Sequence, residues 1–289
     1  LALALLCTAD NLAPTDPARC TEAARAAAVN ARRVGDHDFL GYATVILMAA
    51  LLSLGEWDEA QSVLTSACDG DGLGNHQVVR CLGGWLVALR GDAAGASEVL
   101  RSLPGLSASE FVRDRTTVNV LEAFIADSSE RPAEALACAW AVLADTPSIG
   151  VGSDAVRWAW PLAARSARTL GDAGASADLV ALLDAFPAGL VPPILRAERQ
   201  LARAFTAAAG ADCGTGAALA AAVLALRQAN SPYHLAHGLL DHAEHLVATG
   251  DPDAATAIVE EARAIATRLG CLPLTSRVDS VSAPPALAG

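Results

Sequence analysis

One stretch near the end of the chain decides the fold: LLDHAEHLVATGDPDAATAIVEEARAIATRLG, residues 239–270. Leu239, Ala243 and Leu246 recur at helical spacing up to Gly250, and Ala255, Val259 and Ala262 do the same beyond it. Glycine can take the left-handed conformation that ends a helix, and an aspartate behind it can accept from the free N–H groups that open the next. The stretch therefore reads as two helices joined by a tight turn.

Moving outward, the same punctuation returns in LLSLGEWDEAQSVL (51–64), LVALRGDAAGASEVL (86–100), AFIADSSERPAEALACA (123–139) and RTLGDAGASADLV (168–180). With Gly55, Gly91, Glu130, Gly171 and Gly250 as markers, the spacings are 36, 39, 41 and 79, the last close to two periods. A degenerate copy is expected between the last two, around Gly210 to Ala220. Periods of this length with two helices each predict an all-α, right-handed α-solenoid of about seven helix pairs over residues 1–280. Its turns should fall near residues 35, 55, 91, 130, 171, 211 and 250, with a disordered tail over 281–289. Ala60, Ala96, Ala135 and Ala255 should lie where paired helices cross, because a larger side chain there would push the axes apart.

Composition agrees with close-packed helices. Of 289 residues, 66 are alanine, the best helix former, and aromatics make up only 4%. All 20 basic residues are arginine. Without lysine there can be no Walker A phosphate lysine, protein-kinase lysine or Schiff-base lysine. The net charge of −12 repels nucleic acid and anionic membranes, so no nucleic-acid or membrane partner is expected. Seven cysteines form no CxxC pair and cannot all be paired, which suits a reduced, cytoplasmic chain. The apolar opening LALALLCTA (1–9) lacks a basic flank and is read as a buried helix of a truncated chain. The charge-free run from Phe39 to Gly55 lies at the lower limit for crossing a bilayer and is flanked by acids on both sides.

The pattern resembles the tetratricopeptide repeat, with residues 239–270 the best copy. More narrowly, AARAAAVNARRVGDHDFLGYATVILMAALLSLGEWDEA (23–60) and ARAIATRLGCLPLTSRVDSV (262–281) look like the helical repeat region of large bacterial ATP-binding regulators. These are the LuxR-type and MalT-like activators and the cyclase-associated signalling ATPases. The resemblance implies a sensor or protein-interaction region that binds a protein partner, peptide or small-molecule inducer on its concave face. It also implies an upstream ATPase that this chain does not contain. The chain departs from the family in lacking a phosphate loop with lysine and a helix-turn-helix. A free-standing adaptor is the alternative reading; neither is an enzyme, and no cofactor is expected.

Three groups of residues could carry more than packing. His234, His237, Asp241 and His245 share a helical arc, and imidazole and carboxylate at that spacing can chelate zinc or nickel. The preferred reading is a solvated face behind a Ser231 cap, with His237, Asp241 and Glu244 toward the concave groove and the histidines titrating near 6.5. A metal-dependent enzyme is the lesser alternative. Tyr42, Trp85, Phe124, Trp158 and Phe205 fall near the first helix of a repeat; they either fill gaps in the core, as preferred here, or anchor a partner. Arg157, Arg165, Arg168, Arg196, Arg199 and Arg203 could grip an acidic ligand but are read mainly as ion-pair partners of Asp154, Asp172, Asp178 and Glu198. The glycine-rich GDGLG (70–74) and CGTG (213–216) read as turns.

Overall fold

The structure, a computed structural model, describes residues 1–68, 76–208 and 214–282. Among them are seventeen helices and no strand. An N-terminal group holds α1 (Ala2–Leu12) and α2 (Pro17–Val34). Helical hairpins follow: α3 (His37–Leu54) with α4 (Trp57–Cys68), and α5 (His76–Leu89) with α6 (Ala93–Arg101). A single turn, α7 (Pro104–Ser107), leads to α8 (Val112–Ser128) and α9 (Pro132–Ala144), and another, α10 (Thr146–Ile149), to α11 (Asp154–Thr169) and α12 (Ala173–Asp184). Last come α13 (Pro193–Ala208) with α14 (Thr215–Gln228), α15 (Pro232–Ala248) with α16 (Pro252–Leu269), and α17 (Leu272–Ser282). The expected turn near 211 and the GDGLG segment lie outside the described residues. So does most of the expected tail, although Val281 and Ser282 are still helical.

The turn chemistry is local and repeats. Gly55 (φ 73°) and Gly250 (φ 89°) take the left-handed conformation, and Glu130 does the same at φ 57° without glycine's freedom. Behind each marker the next N–H reaches back over the helix end: Glu56 to the Leu51 carbonyl (3.0 Å), Arg131 to Ala126 (2.9 Å), Asp251 to Leu246 (2.9 Å). Aspartate then opens the following helix, as Asp92 accepts from the Gly95 N–H (2.8 Å), Asp172 from Ala175 (2.9 Å) and Asp251 from Ala254 (3.1 Å). Ala60, Ala96, Ala135 and Ala255 are all buried.

Two expectations about the chain's first and last thirds are corrected. The opening LALALLCTA is helical but not buried: α1 covers only Leu6 and Ala9 and leaves Leu1 and Leu3 exposed, because its packing is chiefly against α2 and α3 on one side. Ser231 precedes α15 but its side chain makes no cap hydrogen bond; Asn230, in the left-handed region at φ 53°, sets that turn instead.

The first helices of successive hairpins pack on one another, α3 on α5, α5 on α8, α8 on α11 and α11 on α13, and α15 returns to touch α3. The return is sealed by large rings. Trp85 meets Phe124 at 5.8 Å between centroids, Phe124 meets Trp158 at 5.7 Å, Trp158 meets Tyr233 at 5.6 Å, and Tyr233 meets Trp57 at 5.9 Å. The elbow between α16 and α17 docks on two earlier turns: the Leu272 N–H donates to the Arg90 carbonyl (3.3 Å), the Cys271 thiol to that of Leu89 (3.1 Å), and Leu269 crowds Gly55, which the start of α15 also approaches through Pro232. One apolar core therefore runs from Ala9 to Val278.

Candidate ligand-binding cavity

Closure changes the fate of the expected binding residues. Trp85, Phe124 and Trp158 are buried against one another, although Trp85 also forms part of the wall of the cleft beside Tyr42; rings of that size shed most water by stacking edge to face, which draws the inner helix faces together. Phe205 is half-buried under the Arg168 guanidinium, 4.2 Å from its ring centroid. Only Tyr42 is open, 52% exposed beside Phe111 at the mouth of a separate cleft of about 380 Å³ near the N-terminus.

The histidine arc is not a solvated face. His234 and Asp241 are buried, 3% and 1% exposed, and His237 is partly buried. The reason is tertiary: α11 and α13 cover one side of α15 and α17 covers another, so polar positions that helical periodicity assigns to water meet other helices. His234 Nδ1 lies 2.9 Å from Glu198 Oε1 on α13. Asp241 Oδ1 accepts from Arg168 (2.5 Å) and also from Arg277 of α17. Arg277 further pairs with Glu244 (2.9 Å) and reaches His237 Nδ1 (3.3 Å). His245 turns toward the start of α14 at Gly216. The four metal candidates are thus dispersed among different partners, and no group of ligands for a metal ion forms among the described residues.

Burial dominates the electrostatics. It pushes both His234 and His237 below the ordinary histidine range; Glu198 opposes this at His234, whereas Arg165, Arg277, His234 and Arg168 reinforce it strongly at His237. Both are neutral near pH 7, which corrects the expectation of titration near 6.5. At Asp241 burial raises the carboxyl's pKa, but Arg168 and Arg277 outweigh it and hold the group ionised. Asp127 of α8 is pushed upward by burial, which outweighs the opposing pull of the Arg165 charge.

Where α8, α11, α15 and α17 meet they leave a cavity of about 630 Å³, with Asp127, Arg165, Ser166, Arg168, His237 and Arg277 on its wall. Several of these polar groups are incompletely satisfied. Arg165 Nη1, Ser166 Oγ and His237 Nε2 are buried without a hydrogen-bond partner among the described residues. Since His237 Nδ1 accepts from Arg277, the neutral ring carries its proton on Nε2, so this atom is a donor in want of an acceptor. The guanidinium of Arg165 lies over Tyr233, 5.6 Å from the ring centroid, and forms no ion pair among the described residues. The other arginines of the expected basic cluster are taken: Arg157 by Asp154, and Arg199 (2.8 Å) and Arg203 (2.6 Å) by Asp184. Glu198 serves His234 and Asp172 caps α12, so neither pairs with arginine as expected.

Sequence reasoning singled out Arg165, Arg168, His237, Asp241 and Glu244 and missed Asp127, Ser166 and Arg277. Arg277 lies in the quoted ending ARAIATRLGCLPLTSRVDSV, yet nothing in its spacing signals that α17 folds back on α15. No protein-family model matches the sequence, and no curated protein matches it significantly.

Proposed function

We propose that this chain is a non-enzymatic, cytoplasmic ligand-sensing region, a closed tetratricopeptide-like α-solenoid belonging to a larger bacterial signalling or transcriptional regulator. The six hairpins α3/α4, α5/α6, α8/α9, α11/α12, α13/α14 and α15/α16 would be its repeats, and the attached ATPase or output domain would lie outside this chain. The observation that carries the reading is the set of unpartnered buried polar atoms on one cavity, contributed by Arg165, Ser166 and His237. Such atoms cost free energy in an empty site and recover it when a complementary ligand arrives.

The mechanism follows from where the cavity lies. α17 buries only Leu274 and Val278, and much of its attachment is polar, through Arg277 to Asp241 and Glu244 and through Asp279 to Arg263 (2.8 Å). A ligand in contact with α8, α11, α15 and α17 together would favour the state in which α17 is docked, and so shift the balance between docked and released forms. A partner peptide running the length of a concave groove is disfavoured, because the aromatic cluster fills its centre and leaves only the cleft of about 380 Å³ between α3, α5, α8 and α11 beside Tyr42.

Hydrogen exchange on the intact chain tests the reading against a library of small metabolites. Ligands that act as proposed slow amide exchange in α15 and α17. Protection confined to the N-terminal cleft around Tyr42, or no protection by any ligand, overturns it. An ATPase motif encoded in frame upstream of Leu1 favours the regulator over the free-standing adaptor.

A further inference from the structure

The cavity carries a cation and an acid that do not satisfy one another. Arg165 forms no ion pair, and Asp127, on the same wall, accepts no side-chain hydrogen bond and also forms no ion pair among the described residues. Glu130 at the rim is likewise without an ion-pair partner. Beside Arg165 stand the two further donors, Ser166 Oγ and His237 Nε2. Donors therefore cluster around Arg165, and carboxyl groups without a direct partner, half-buried Asp127 and exposed Glu130, lie at the α8 side. Arg165 and Asp127 feel one another's charge across the cavity, and Glu198 and Asp241 add to the field at Arg165, yet the two come into neither hydrogen-bond nor ion-pair contact, so the space between them is left for a ligand that touches both.

We propose that the cavity takes a small zwitterion bearing the carboxylate and ammonium groups of a free amino acid. This rests on the sensing role above and names the class of ligand. The carboxylate accepts from Arg165, Ser166 and His237, while the ammonium donates to Asp127 and faces Glu130. Arg168 and Arg277 stay on Asp241 and do not compete, since their guanidinium groups are already engaged. A simple oxyanion such as phosphate satisfies Arg165 but leaves Asp127 worse placed, and a simple amine does the reverse. Both charges on one ligand satisfy both walls.

Calorimetry and thermal shift on the full chain, with the protein amino acids one at a time, test this. At least one should bind with a dissociation constant below about 1 mM. Its N-acetyl form, which lacks the ammonium, and its amide, which lacks the carboxylate, should each bind at least tenfold more weakly, as should the parent amino acid to Arg165→Met and Asp127→Asn. Inorganic phosphate and sodium chloride at matched ionic strength should give no specific shift. If Arg165→Met does not fold, judged by its circular dichroism, Ser166→Ala and Asp127→Asn carry the test. Equal binding of the blocked forms, unchanged affinity in the variants, tight binding of phosphate, or no binding by any amino acid overturns the proposal. In each of these cases the broader sensing role survives only if another ligand class still slows exchange in α15 and α17.

Discussion

Gly91 and Gly171 occupy nearly the same sequence, RGDAAGASEVL and LGDAGASADLV, and make the same turn, with φ of 99° and 66°. Their surroundings differ. A Cβ on Gly171 would meet nothing within 4 Å, whereas one on Gly91 would stand 2.9 Å from Pro273 Cδ and 3.2 Å from Leu272 Cβ. One glycine serves only its own backbone; the other also makes room for the elbow between α16 and α17. A local motif can thus be used twice, and the second use cannot be seen from the motif.

The comparison is most sharply tested by alanine at the two turns. Gly91→Ala combines left-handed strain with overpacking against a rigid proline ring and should destabilise by about 3 kcal/mol or more. Gly171→Ala carries the strain alone and should cost about 1 kcal/mol. Urea denaturation of the two variants provides the check. Equal losses would mean that the elbow does not dock on the Gly91 turn.

Acid should act on the docked side next. His234 and His237 have folded-state pKa values below their unfolded ones, so as pH falls the unfolded chain takes up protons first. Stability from these groups is complete above about pH 6.5 and declines below it, by roughly 1–3 kcal/mol between pH 7.5 and 5.5. Asp127 and Glu122, pushed up by burial, work in the opposite direction closer to the carboxylate range. His237→Gln should flatten the dependence measured by denaturation at several pH values; an unchanged slope would show that His237 is solvated after all.

The smallest expected effect is a gain. Glu130 adopts the left-handed conformation where the other marker positions have glycine, so Glu130→Gly should relieve strain and stabilise by up to about 1 kcal/mol. A loss would show that the Glu130 side chain contributes more at the cavity rim than its backbone costs.

Helix content and turn positions were legible because they depend on neighbours in sequence. A glycine–aspartate pair ends one helix and begins another within four residues, as at Gly250 and Asp251, whatever lies around it. The burial of Ala255 and Ala262 follows from the same periodicity. The candidate site was legible only in part. Arg165 and His237 stood out by type, but helical periodicity assigned the His234, His237 and Asp241 arc to water, since it sees one helix at a time. Asp127, Ser166 and Arg277 gave no signal, because their importance comes from three other helices.

By itself, then, the amino-acid order determined an all-helical chain punctuated by left-handed turns and devoid of lysine chemistry, since capping, propensity and side-chain inventory act over a few residues. Tertiary structure decided that α15 returns to α3, that the large rings stack at the centre of the inner helix faces, and that α17 brings Arg277 onto Asp241. Those outcomes join residues far apart in sequence, such as Arg277 with Asp241, 36 positions away, and Tyr233 with Trp57, 176 away. They depend on how small offsets between successive hairpins accumulate, which no local pattern records.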